Sequence, residues 1–127
     1  MATAVREKRL ERLRKICLAL PEAVATEANS HVGFTVRNKT FGYYLNDHHG
    51  DGIVAITCKV AKGDNAMLAQ SQPDRFYLPA YVAKNGWVGL RLDLKTVDWE
   101  EVEELVRDSY RRVAPKTLAA QVHLAAE

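Results

Sequence analysis

Cysteine is nearly absent: Cys17 and Cys58 are the only two in 127 residues. Two thiols are too few for the disulfide framework of a small secreted domain. Cys17 sits in an apolar helical row and Cys58 ends an apolar strand, so both are expected as buried thiols in a reducing cytosol. Long apolar runs are missing as well. No stretch approaches the ~18 residues that a membrane span requires. The chain opens with charge from Arg6 to Lys15, where a secretory signal would have its apolar centre. The expectation is a cytoplasmic protein that does not meet a membrane. Net charge is only +2, short of the strongly basic character usual in nucleic-acid-binding domains. Catalytic motifs are lacking too. Ser30, Ser71 and Ser109 have no nucleophile-elbow context, and no Gly-rich phosphate loop occurs. The chain is therefore expected to be no enzyme and to carry no cofactor.

What is present is an ordinary globular composition, with 47% hydrophobic and 27% charged residues. The length suits one domain over residues 1–127, with no linker or repeat, and a monomer is expected. The charge is segregated. Six Lys and Arg face two acids over residues 1–20, and six face three over residues 59–95. Acids outnumber bases four to two over residues 21–58 and seven to four over residues 96–127. Segregation of this kind creates local fields that net charge hides.

Hydrophobic periodicity outlines the elements. Leu10, Leu13, Ile16, Cys17 and Leu20 form one stripe of a helix over Ala4 to Leu20, which Pro21 stops. His31 to Arg37 alternates, with Val32, Phe34 and Val36 on one face. Asn38-Lys39 reads as a tight turn, and Thr40 to Asn46 returns with Phe41, Tyr43 and Leu45 alternating again. Ile53 to Lys59 completes a meander. A short helix over Lys62 to Ser71 is capped near Asp64 and turns Met67 and Leu68 inward. Arg75 to Leu78 and Trp87 to Leu92 read as strands, the second with Val88, Leu90 and Leu92 inward and Trp87, Gly89 and Arg91 outward. Lys84-Asn85-Gly86 before it is turn chemistry. Asp98 caps the last main helix, with Glu101 completing a capping box and Val97 and Val102 a hydrophobic staple. Val102, Leu105, Val106, Tyr110 and Val113 form its stripe, Pro115 ends it, and Leu118 to Leu124 add a short terminal helix. Helix, meander, short helix, two strands and helix predict an α+β two-layer domain. Its antiparallel sheet would carry the N- and C-terminal helices on one face.

Several segments in this order resemble the MmcQ/YjbR family. They are Leu20-Pro-Glu-Ala-Val24, the hairpin Phe34-Thr-Val-Arg-Asn-Lys-Thr-Phe41, Pro79-Ala-Tyr81 with Lys84 and Trp87, and Asp108-Ser-Tyr110 with Val113 and Lys116. The resemblance implies a CyaY/frataxin-like fold and a double-wing DNA-binding protein, with DNA as partner. Asn38 stands where the family usually has a turn Gly, and Trp87-Val-Gly where it has Trp-Asn.

Four groups of residues are candidate sites. Arg37, Lys39, Lys59, Lys84, Trp87 and Arg91 fall at strand ends or outward positions. If they converge, the cations neutralise phosphates and Trp87 stacks on a base. If they do not, they are a solvated sheet face with Trp87 over the Arg91 side chain. A pocket beside Tyr81, Lys84 and Trp87 is the alternative, serving a small ligand or a protein partner. Asp47-His48-His49-Gly50-Asp51 offers imidazoles and carboxylates, but adjacent His residues rarely share one ion, and a polar turn is the plainer reading. Glu101, Glu104 and Asp108 line up as a frataxin-like metal ridge would, yet the helix dipole and i,i+4 pairs account for them. No metal is expected. The basic first helix reads as a solvated charged face.

Overall fold

Six strands form one antiparallel sheet in this computed structural model, which describes residues 2–29, 31–47 and 50–123. In chain order the elements are α1 (Thr3–Leu18), β1 (Val24–Ala28), β2 (His31–Val36), β3 (Lys39–Asn46), β4 (Val54–Lys59), α2 (Asp64–Ser71) and β5 (Phe76–Tyr77). A single 3-10 turn (Ala83–Asn85), β6 (Trp87–Arg91), α3 (Trp99–Val113) and α4 (Lys116–Ala119) follow. The strands lie in the order β1-β2-β3-β4-β6-β5, and every neighbouring pair is antiparallel. Leu13 and Cys17 of α1 meet Val102, Val106 and Tyr110 of α3 over one sheet face, in a single core with Phe34, Phe41, Ile56 and Val88. This is the expected α+β two-layer arrangement. Burial of each large side chain contributes roughly 1.5–3 kcal/mol.

The elements that bound the core follow from local chemistry. The Asp98 carboxylate accepts hydrogen bonds from the amides of Glu100 and Glu101, so the predicted cap starts α3. Glu101 itself pairs with Arg75. The Tyr110 hydroxyl donates to the Pro21 carbonyl at 2.7 Å, while its ring meets Phe41 edge-on at 5.3 Å. Cys17 and Cys58 are buried free thiols, and burial pushes both up in pKa. The arginines of α1 are not the solvated face expected of them. Arg9 donates to the carbonyls of Leu92, Leu94 and Lys95, Arg12 lies over the Trp99 ring, and Arg14 pairs with Glu11 and Glu27. They fasten the first helix to the connection between β6 and α3 and to β1.

Several expectations are corrected. The β2–β3 turn is Arg37-Asn38, one residue earlier than read, with φ of +50° and +67°. Positive φ at both central residues matches the right-handed twist of a two-residue hairpin. A register shift opposite Phe34/Thr35 leaves Phe41 as an extra residue in β3. The bulge breaks the alternation. Phe41 and Tyr44 are therefore buried, and Tyr43 and Leu45 turn to the other face instead of sharing one with Phe41. In α2 the inward residues are Asn65 and Leu68, whereas Met67 is 61% exposed; the N-cap is Gly63 at φ +88°, next to Asp64 as expected. Finally, β1 was not foreseen, because most of its residues are exposed and no apolar alternation marks it. The terminal helix is limited to Lys116–Ala119, and Leu124 lies outside the described residues.

Ser109 joins the two layers. It is wholly buried, its hydroxyl donates to the Phe41 carbonyl at 2.6 Å, and it accepts the Lys59 amide at 2.9 Å. Ser109→Ala leaves a buried donor and a buried acceptor without that partner. A loss of about 1–3 kcal/mol is expected. It should appear in urea unfolding as a lower midpoint at unchanged slope.

Candidate functional site

The side of the sheet away from α1 and α3 carries the aromatic residues, and the basic ones gather at the sheet end beside the start of α2 and the end of α3. Pairing Tyr43 with Thr57, Thr57 with Gly89 and Gly89 with Tyr77 sets one row across four strands. Lys59 beside Trp87 sets the next row toward one end. Trp87 is half-buried, and its ring meets Tyr43 at 5.8 Å, not Arg91. Tyr77 lies so close over Gly89 that a Cβ there would sit 2.3 Å from the ring. Burial pushes the Tyr77 hydroxyl up to about 12. Thr57, beneath these rings, is only 1% exposed.

Residues 79–86, between β5 and β6, form a ridge held by backbone hydrogen bonds. The amides of Ala83, Asn85 and Gly86 donate to Pro79, Val82 and Ala83, and Gly86 accepts from Val60. Buried Asn65 of α2 secures it from below. Its side-chain nitrogen donates to the carbonyls of Ala83 at 2.8 Å and Trp87 at 3.1 Å, and its oxygen accepts the Ala66 amide. No sequence pattern marks Asn65. Its place one residue into a short helix would suit exposure equally well.

One flank of the ridge is basic. Lys59, Lys62, Lys84 and Arg112 border a depression of about 360 Å³ with Asn65, Asn85 and Gly86, and no carboxylate borders it among the described residues. Lys59 and Lys84 were candidates from the sequence, whereas Lys62 and Arg112 were not. Arg112 also donates to Asp108 at 3.0 Å, a partner on its own helix. The other flank is aromatic. His31, Tyr43, Leu45 and Thr57 form a cleft of about 320 Å³ closed over by Ala80, Tyr81 and Val82. Between the two lies a hollow of about 270 Å³ bordered by Tyr81, Ala83 and Lys84.

The remaining candidates lie elsewhere. Arg37, at the β2–β3 turn, makes a two-pronged pair with Glu22 at 2.6 and 2.9 Å, which lowers the Glu22 carboxyl pKa. Lys39 follows that turn, exposed, at the same end of the sheet as Lys59. Arg91 stands four residues from Trp87, about 13 Å along the strand. It grips Asp93 through two bonds of 2.9 Å. Burial works to raise the Asp93 carboxyl, but the bonds from Arg91 and the Val54 amide hold it low. Arg91 is thus committed to the far end of the sheet.

The metal and nucleophile candidates find little support. Glu101 pairs with Arg75, Asp108 with Arg112 and Glu103 with Arg107. Asp47 and Asp51 accept the amides of Gly52 and Ile53, and no metal-binding cluster occurs among the described residues. His48 and His49 lie outside those residues, as does Ser30. The Ser71 hydroxyl donates to Met67 in its own helix, and Ser109 is held by backbone groups. No helix among the described residues is long and apolar enough to cross a membrane.

Comparison with solved structures finds the crystal structure of Deinococcus radiodurans protein DR2400, described as a DUF419 domain. It is 25% identical, with a TM-score of 0.69, over 91% of this chain and 88% of that one. No curated protein matches. The YjbR family model matches residues 18–112, from the end of α1 to the end of α3. The chain belongs to the YjbR family.

Proposed function

We propose that the chain is a nucleic-acid-binding module, not an enzyme, and that it holds the phosphate backbone at the basic flank of the 79–86 ridge. One observation carries the reading: Lys59, Lys62, Lys84 and Arg112, from three separate segments, border one depression. Cations gathered from distant segments make a local positive field that a net charge of +2 conceals. In the double-wing expectation, the β2–β3 hairpin with Lys39 is one wing and the β5–β6 connection with Lys84 is the other. Arg37 and Arg91 drop out of the contact set, since neither borders the depression and Glu22 and Asp93 hold them away from it.

Salt dependence tests this. Three to four phosphate contacts give a slope of about −0.9 each in log affinity against log salt. Affinity for a short DNA should therefore fall roughly 40- to 150-fold between ~50 and ~200 mM salt. Fluorescence anisotropy would measure it. A flat salt profile, or no binding at low salt, removes the reading. A small-anion site beside Tyr81, Lys84 and Trp87 is the second reading, supported by the hollow between Tyr81 and Lys84. Resonance shifts confined to those residues with free phosphate, and none with DNA, would favour it.

A further inference from the structure

We propose that the cleft beneath Tyr81 receives an unpaired nucleobase, so that the chain prefers a single strand to a duplex. The inference rests on the basic flank being a phosphate site and adds a ring site beside it. A cleft of about 320 Å³ lies at the small end of ligand pockets, which start near ~300 Å³, and suits one ring system. Tyr43 offers a flat ring and Leu45 further apolar surface, and His31 adds polar atoms at the edge. This is the chemistry that takes up an unstacked base.

Tyr81 supplies an independent observation. It sits at φ +70°, with the Val82 amide donating back to the Ala80 carbonyl at 2.8 Å. That is a γ-turn of the rare positive-φ kind, unfavourable for a bulky residue. The residue is nevertheless 84% exposed, so core packing does not explain its position. Strained backbone tends to cluster at ligand-contacting positions.

The two sites are spaced for one strand. Thr57 in the cleft and Lys59 at the basic depression are two residues apart on β4, about 6.6 Å on the same face. On the rim, Tyr81 and Lys84 share the intervening hollow. A nucleotide with its ring in the cleft can thus place its phosphate at the lysines. A paired, stacked base cannot enter without being flipped out.

The test compares a mixed-sequence strand of about 12 nucleotides, a length within single-strand site sizes, with the same strand annealed to its complement. The strand should bind about tenfold or more tightly than the duplex. Tyr81→Gly keeps the left-handed backbone and deletes the ring. It should weaken strand binding roughly ten- to 100-fold and leave duplex binding nearly unchanged. Tyr81→Phe should retain the preference. Equal binding of strand and duplex, with Tyr81→Gly affecting both alike or neither, overturns the base site while the phosphate site stands. Absence of binding to both overturns the two together.

Discussion

Lys62→Glu combined with Lys84→Glu is expected to weaken nucleic-acid binding by at least about 100-fold at ~50 mM salt. A slope of ~0.9 per phosphate, extrapolated to 1 M, makes each contact worth roughly 15-fold at that concentration. Loss of two contacts therefore exceeds a hundredfold before repulsion by the new carboxylates is added. Both side chains are exposed at the basic depression, so the fold should tolerate the change. The control is Lys8→Glu with Lys15→Glu, at exposed positions on α1. Each reversal removes two charges, so both variants go from +2 to −2. A general loss of charge would weaken the two alike. A local phosphate site makes the α1 variant lose only a few-fold. Anisotropy titrations of both variants, with circular dichroism to verify folding, decide between them. Equal losses would mean that no local site exists.

That contrast also explains what was legible in the residues. Lys59 and Lys84 stood out because strand ends and turn chemistry are local patterns. Lys62 and Arg112 did not. Lys62 precedes a short helix, and Arg112 lies in the last turn of α3, where the helix dipole already accounts for a cation. Pairing of β4 with β6, with α2 between them in sequence, and packing of α3 against β4 together bring the four to one place. Arg91 erred the other way. Its outward direction on β6 was right, but Asp93 two residues on captures it, and the site lies at the opposite strand end.

The sheet repeats the lesson. Alternation placed β2 and β6 with correct faces, since regular pleating makes period two reliable. In β3 a single bulge at Phe41 moved Tyr43 and Leu45 from the core face to the open face. The aromatic cleft exists because of that bulge, and period-two reading hides it. The bounds of α3 were legible because cap, stripe and charge bias agree, although Glu101 turns to Arg75 and buried Ser109 lay outside the expected stripe. β1 carried no such agreement. It pairs along β2 through backbone groups, with side chains that alternate in neither size nor polarity.

Gly89→Ala should cost about 1–3 kcal/mol, the range for overpacking. For a chain of this size that is roughly 5–15 °C in melting temperature. The Gly89 Cα faces the ring of its cross-strand partner Tyr77, and a Cβ would lie 2.3, 2.5 and 2.8 Å from three ring carbons. The ring must swing out, losing its cover over β6. The hydroxyl titration reports this directly. Burial holds Tyr77 up to about 12, against an ordinary value near 10. Stability from the neutral phenol is intact below pH ~10 and drains away as pH rises through the folded value. In Gly89→Ala the high-pH phase in ultraviolet absorbance should move back toward ~10. A double-mutant cycle isolates the contact. Tyr77→Ala removes the obstacle, so the double variant should cost less than the sum of the singles by about 0.5–3 kcal/mol. Additive losses would show that the ring does not rest on Gly89. The consequence reaches the ridge, because β5 runs straight into residues 79–86, and the Tyr77–Gly89 register sets where Tyr81 hangs over the cleft. Strand affinity should then fall more than duplex affinity in Gly89→Ala, since Lys59 on β4 and Lys62 at the α2 end keep their places while Tyr81 moves with the ridge.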